Sequence, residues 1–394
     1  MKCPKCNRED NPDASICSAC GTELPQTSDT AEELDIRVSK LAVASCVFAI
    51  LGMVLMVWAR VPRFKPSSSV LTDALFFSSF LAIFPGLTAV VRIELSRGRL
   101  TGRAYAAIGI ALPIAVFFFI TILSVLARTR SVAYRPYCGT NLSGIGKAML
   151  IYAQDYDDEF PRAGGKASKW GPTPNWKADI PAEAYGLNDG DGQASMSANL
   201  FLLVKFTDVS PKSFICKGSQ GRGKKMGGDI GATEFTLAKY KVRGKDLIDL
   251  WDFGPDPSKH CSYTYHIPYG PYPLTTSSDP GMAVAADRNP WLASPSRRAR
   301  PDNKDFQAFD PNGTRECTKR GNAFEHQEDG QNVLFVDGHA SFEKQSSCGV
   351  NDDNIYTVQN GLDIRRGIPP TLESQPADPN DSLLVHDPPG GASK

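Results

Sequence analysis

The sequence predicts a multi-domain membrane protein: a small cysteine-held head, three transmembrane α-helices, and a C-terminal α+β domain with one helix packed on an antiparallel sheet. Three observations carry this reading. Two CxxC pairs lie within the first 20 residues, three apolar segments fall between residues 41 and 127, and a helical apolar stripe is followed far downstream by a strand–turn–strand pattern. At 394 residues the chain has room for several domains. Its 43 basic and 43 acidic residues leave no net charge, which argues against a nucleic-acid binder. The composition changes near residue 130, from apolar-rich to rich in Gly, Pro and Asp. The expected division is therefore a head over 1–26, a polar linker over 27–40, a membrane region over 41–128, a soluble domain over 129–365 and a disordered tail over 366–394.

The head opens with Cys3-Pro4-Lys5-Cys6 and closes with Cys17-Ser18-Ala19-Cys20-Gly21. Two such knuckles can place four thiolates tetrahedrally around one Zn2+, and so short a segment has no room for a core, so metal ligation would supply most of its folding energy. A redox pair or two disulfides is the competing reading, which the double knuckle disfavours. Asn7 and Gly21, each just after a knuckle, tolerate the positive φ such a turn needs. The segment resembles the zinc-ribbon heads of many bacterial membrane proteins, which implies that Cys3, Cys6, Cys17 and Cys20 hold a structural zinc ion with no position open for catalysis.

The spans are expected over 41–58, 75–91 and 104–127. Trp58 lies at the first boundary, Pro85 and Gly86 weaken the second, and Arg128 and Arg130 stop the third. No charged-then-apolar opening of a cleavable signal is present, so the first span is expected to direct insertion. Three spans put the two ends on opposite sides. Basic residues near the spans are evenly balanced between the sides, so orientation rests on chemistry: free thiolates suit a reducing compartment, and a domain without tight Cys pairs tolerates an oxidising one. This predicts a multi-pass protein of the bacterial inner membrane with a cytoplasmic N-terminus and an extracytoplasmic C-terminal domain. The basic loop 98–103 and its surroundings resemble the membrane domain of unknown function DUF4190, a resemblance over about 40–128 that implies no activity.

In the soluble domain, Ile145, Met149, Tyr152 and Tyr156 recur at helical spacing and give one stripe to pack on a sheet. Pro136 is expected to separate this helix from the last span. The helix runs into Asp155, Asp157 and Glu159, alternate oxygens that can hold Ca2+, against the commoner reading of solvated loop acids. Residues 332–336 and 339–343 alternate about Asp337-Gly338, a strong signal for a type I′ hairpin. Asp337 is then a turn former, and hairpin polarity explains His326, Asp337 and His339 better than a metal cluster does. Cys138, Cys216, Cys261, Cys317 and Cys348 are widely spaced; disulfides are permitted, and at least one thiol stays unpaired within the monomer.

Several short patterns join these two ends. Cys138, Asn141-Leu142, Ile145-Gly146, Tyr152 and Phe160-Pro161 come first, followed by Phe214-Ile215-Cys216, Ser262-Tyr263-Thr264-Tyr265 and Ala285-Ala286-Asp287-Arg288-Asn289-Pro290. His326 and the run 332–342 close the series. Together they resemble the pseudopilin-like proteins with a DUF1559, or H-X9-DG, domain found in Planctomycetes, over about residues 130–360. Here ten residues rather than nine separate His326 from Asp337, and a head with two further spans precedes the helix where the family has a cleaved prepilin leader. The resemblance implies a pilin-like α+β fold and a role in the cell envelope or a type II secretion-related assembly.

Other chemistry is sparse. Gly218, Gly223 and Lys224 approach a P-loop, but Lys225 stands where a Mg2+-binding Ser or Thr is needed. Neither HExxH nor GxSxG occurs. Cys261 between His260 and His266 is the weak candidate for a nucleophile, and 297–300 reads as a solvated basic loop. The expected protein is therefore non-enzymatic, with the lipid bilayer and envelope or secretion proteins as partners and no nucleic acid. The alternative is a transmembrane sensor that binds a ligand or Ca2+ outside and signals to the zinc head.

Overall fold

A computed structural model describes residues 2–3, 5–9, 14–24, 37–59, 83–96, 99–218, 232–294 and 303–390. It contains two compact units, Met1–Val125 and Leu126–Lys394.

In the first unit, helices α1 (Lys40–Ala59) and α2 (Ile83–Leu95) pack with the start of α3 (Arg103–Asp155), beside a short parallel pair, β1 (Arg37–Val38) and β2 (Leu100–Thr101). The packed interior is made of small residues. Ala42, Ala89 and Ala106 are fully buried with Ile93. A Cβ on Gly86 would lie 2.7 Å from Ile110 and 2.8 Å from the Ser45 hydroxyl, and one on Gly109 would collide with Ser45. The large apolar side chains point the other way: Val47, Phe48, Leu51, Phe84, Leu87 and Phe118 are all exposed. Small residues inside and large apolar ones outside invert the arrangement of a water-soluble bundle.

Among the described residues one helix is long and apolar enough to cross a membrane, Arg103–Leu123 within α3. Of the three expected spans, this is the one that the described residues support. α1 contributes a shorter apolar stretch among the described residues, Lys40–Val54. The second expected span begins outside the described residues, and α2 is 13 residues long with Arg92 and Glu94 in its last turn.

Pro136 does not interrupt α3, which runs unbroken for 53 residues. The cost of an interior proline, about 3 kcal/mol, is offset because the following turns are anchored by burial. Cys138, Leu142, Ile145, Met149 and Tyr152 form a fully or nearly buried stripe. Each large apolar member contributes about 1.5–3 kcal/mol. Tyr156 lies past the helix end, half-exposed and stacked on Tyr152 with ring centres 4.0 Å apart.

Beyond α3, β3 (Lys169–Trp170) and β4 (Gln193–Ala194) form a short parallel pair. The stripe packs on an antiparallel five-stranded sheet of β5 (Tyr263–His266), β6 (Ala283–Asp287), β7 (Gln331–Phe335), β8 (Ala340–Glu343) and β9 (Leu384–Val385), in the order β8-β7-β6-β5-β9. Alternation in β7 sends Leu334 to the helix face and Val333 and Phe335 to the other, where Trp291, Phe309, Ile355 and Tyr356 cover them. Gly146 allows the close approach of helix and sheet, because a Cβ there would lie 2.5 Å from Leu334. A second helix, α4 (Met196–Phe206), is buried on nearly all sides within the same core.

Two local expectations change. The hairpin between β7 and β8 has positive φ at Gly338 alone, so its turn is not type I′; Asp337 closes a longer loop by accepting the His339 amide at 3.0 Å. The described stretch 367–390 is not a disordered tail. Leu383, Leu384 and Val385 are fully buried, and β9 pairs with β5 through Tyr265↔Val385 and His266↔Leu384. Asp387 then ties the end of the chain to α4, accepting the amides of Met196 and Ser197 at 2.8 and 2.9 Å and the Trp170 indole at 3.1 Å.

Candidate metal centres

The four head cysteines gather as their spacing predicts, with all four sulfurs within 4.8 Å of one another. Each knuckle folds the same way. Cys3 N–H donates to Arg8 and Cys17 N–H to Thr22, and the Asn7 and Gly21 amides close the turns onto Cys3 and Cys17. Asn7 and Gly21 both have positive φ, at 57° and 65°. The sulfurs of Cys3 and Cys20 are 3.6 Å apart, as are those of Cys6 and Cys17. A tetrahedral Zn–S bond of about 2.3 Å gives sulfur–sulfur edges of about 3.8 Å, so the cluster is compatible with a zinc site. Among the described residues, Leu24 and Ala14 pack against Cys3 and Cys17.

The acidic exit of α3 forms no comparable group. Glu159 is ion-paired with Arg162 and, at 3.3 Å, with Lys166, and both Asp157 and Asp158 are exposed at positive φ. Among the described residues, Asp155, Asp157 and Glu159 do not bring three ligand atoms within reach of one ion.

A second group does. Cys138, Cys216, Asp287 and His326 come from four separate segments, and their ligand atoms also lie within 4.8 Å of one another, all buried. Cys138 faces the sheet from the first buried turn of the α3 stripe, and Cys216 follows the single-turn helix at Pro211–Phe214. Asp287 ends β6, and His326 ends the turn Phe324–His326 ahead of β7. His326 Nε2 lies 3.1 Å from Asp287 Oδ2 and 3.7 Å from Cys216 Sγ. Asn332 holds the carboxylate, donating to Asp287 Oδ2 from its amide N–H at 2.6 Å and from its side chain at 3.0 Å. Asn141 braces the neighbourhood from the helix, reaching Ile215 O and Tyr263 Oη at 3.3 Å each.

These groups hold their protons unevenly. The neighbouring Cys216 thiol and His326 draw the Cys138 thiol down to about 6, while burial pushes Cys216 up. Burial disfavours a charged His326, but the adjacent Asp287 carboxylate outweighs it and raises the imidazole to about 10. All four residues belong to the short patterns noted in the sequence, yet no spacing joins them; only the fold makes them a group.

The remaining candidates are structural. Burial pushes the Cys261 thiol up to about 12, and its S–H points to Tyr263 O. His260 lies between Thr233 O and Tyr240 Oη, and His266 faces Asp381 O. His339 pairs with Asp337 at the exposed hairpin tip, away from His326. The P-loop-like segment past Gly218 and the basic run 297–300 lie outside the described residues. No protein-family model, curated protein or solved structure matches this chain.

Proposed function

We propose that this chain is a membrane-anchored, pseudopilin-like protein without catalytic activity, whose C-terminal domain stands outside the inner membrane and makes protein contacts in the envelope or in a secretion-related assembly. The observation that carries the reading is helix α3. Its first part, Arg103–Leu123, has the length and apolarity of a membrane span, and its last part is the spine of an antiparallel α+β domain. A single helix that is both anchor and spine is what the resemblance to pseudopilins implies. The inverted packing of α1, α2 and early α3 supports a lipid setting for the first unit.

On this reading the head carries zinc on Cys3, Cys6, Cys17 and Cys20 in the reducing cytoplasm. One crossing by α3 or three crossings both leave head and domain on opposite sides. The sensor alternative has less support, because Glu159 already has two cationic partners and the acidic exit gathers no ion site. The test is photo-crosslinking in intact cells from Ser143 and Ser341, which line an open groove between α3 and β8. Discrete adducts with envelope proteins are expected, and a uniformly uncrosslinked chain would remove the interaction reading.

A further inference from the structure

We propose that Cys138, Cys216, Asp287 and His326 form a second zinc site, closed and structural, which locks helix α3 onto the sheet. It goes beyond the proposed function and does not depend on it. Two thiolates, an imidazole and a carboxylate are a zinc-type donor set, and four protein ligands leave no open position. For Zn–S of about 2.3 Å and Zn–N or Zn–O of about 2.0–2.2 Å, tetrahedral edges run from about 3.3 to 3.8 Å. The separations of 3.7 Å between Cys216 Sγ and His326 Nε2 and 3.1 Å between His326 Nε2 and Asp287 Oδ2 need only small adjustment to meet them.

Burial makes the case stronger. Cys138, Cys216 and Asp287 are wholly withdrawn from solvent and His326 is 1% exposed. Within the group the buried Asp287 carboxylate is paired with His326, and a divalent cation held by the same atoms would compensate its charge directly. One buried polar atom of the group, Asp287 Oδ1, has no hydrogen-bond partner among the described residues. Asn332 orients Asp287 as an outer-shell partner orients a metal-bound carboxylate. Gly218 keeps the approach tight, because a Cβ there would lie 3.3 Å from Cys216 Sγ and 2.8 Å from Glu325 O. On binding, both thiols and any protonated imidazole release their protons to solvent, and Zn2+ takes the four lone pairs. The competing use of the same sulfurs is a Cys138–Cys216 disulfide.

The experiment is zinc counting on the full chain, purified in detergent from membranes without reductant or chelator, with thiols and disulfides counted by mass spectrometry after alkylation under denaturing conditions. Two zinc ions per wild-type chain are expected, with Cys138 and Cys216 recovered as free thiols. Cys3→Ser with Cys6→Ser should retain one zinc, and Cys216→Ser should also retain one, now in the head. One zinc in the wild type that disappears with the head variant, or a recovered Cys138–Cys216 disulfide, overturns the proposal. Co2+ loaded into the head variant gives a readout that does not depend on the folding of Cys216→Ser. An intense thiolate-to-cobalt band of a tetrahedral two-thiolate site is expected, and its absence also overturns the proposal.

Discussion

His326 Nε2 lies 3.1 Å from Asp287 Oδ2, with both side chains removed from solvent. This contact joins the end of β6 to the turn that launches β7, on the face where α3 crosses the sheet. It explains why residues scattered over four stretches of sequence share one location: each supplies an atom to the junction between helix and sheet.

The closeness of that junction predicts opposite outcomes at two neighbouring glycines. Gly146→Ala places a methyl 2.5 Å from Leu334 and should destabilise the domain by about 1–3 kcal/mol. A Cβ on Gly144 would meet nothing within 4 Å among the described residues, so Gly144→Ala should stabilise by about 0.5–1 kcal/mol through helix propensity. Thermal or urea unfolding of the two variants side by side checks the pair.

A pH dependence follows from Asp353. Burial, with the Asp381 carboxylate nearby, raises its carboxyl to about 8, and burial raises Asp381 to about 6. Below the unfolded value of about 3.9 both states are protonated and no stability difference arises. As pH climbs from about 4 to 8 the unfolded chain releases its protons while the fold retains them, so stability falls across that window and the loss is complete above it. Asp353→Asn should flatten this slope and stabilise the protein at pH 8 by about 1 kcal/mol or more, with little effect at pH 4. Unfolding curves of both proteins at the two pH values test it.

Asp387 secures the end of the chain by capping α4 and accepting from Trp170. Asp387→Ala leaves three buried donors short of a partner and should cost about 1–3 kcal/mol. Limited proteolysis should then cut near residue 384 faster than in the wild type. Equal cleavage rates would show that the tail is held by β9 alone.

Much of the architecture was legible in the sequence. The CxxC spacing identified the head because its ligands are local, and the recurrence of Ile145, Met149 and Tyr152 identified the helix because burial imposes its period. The hairpin about Asp337-Gly338 was visible for the same local reason, although its turn type was not, since only Gly338 adopts positive φ. Three features depended on tertiary context. Pro136 stays helical because the sheet anchors the turns after it, and β9 forms from a run too short to signal a strand within a Pro- and Asp-rich tail. The buried cluster has no fixed spacing, so its residues stood out only one by one.

The central claim, an anchored chain with its head and its α+β domain on opposite sides of the membrane, is tested most directly by thiol labelling in spheroplasts with a membrane-impermeant maleimide. Cys317 is half-exposed on the domain and should label in intact spheroplasts, whereas the exposed head thiols Cys6 and Cys20 should label only after lysis and chelation. Labelling of Cys317 only after lysis, or of the head thiols in intact spheroplasts once a permeant chelator has removed the metal, would contradict the account.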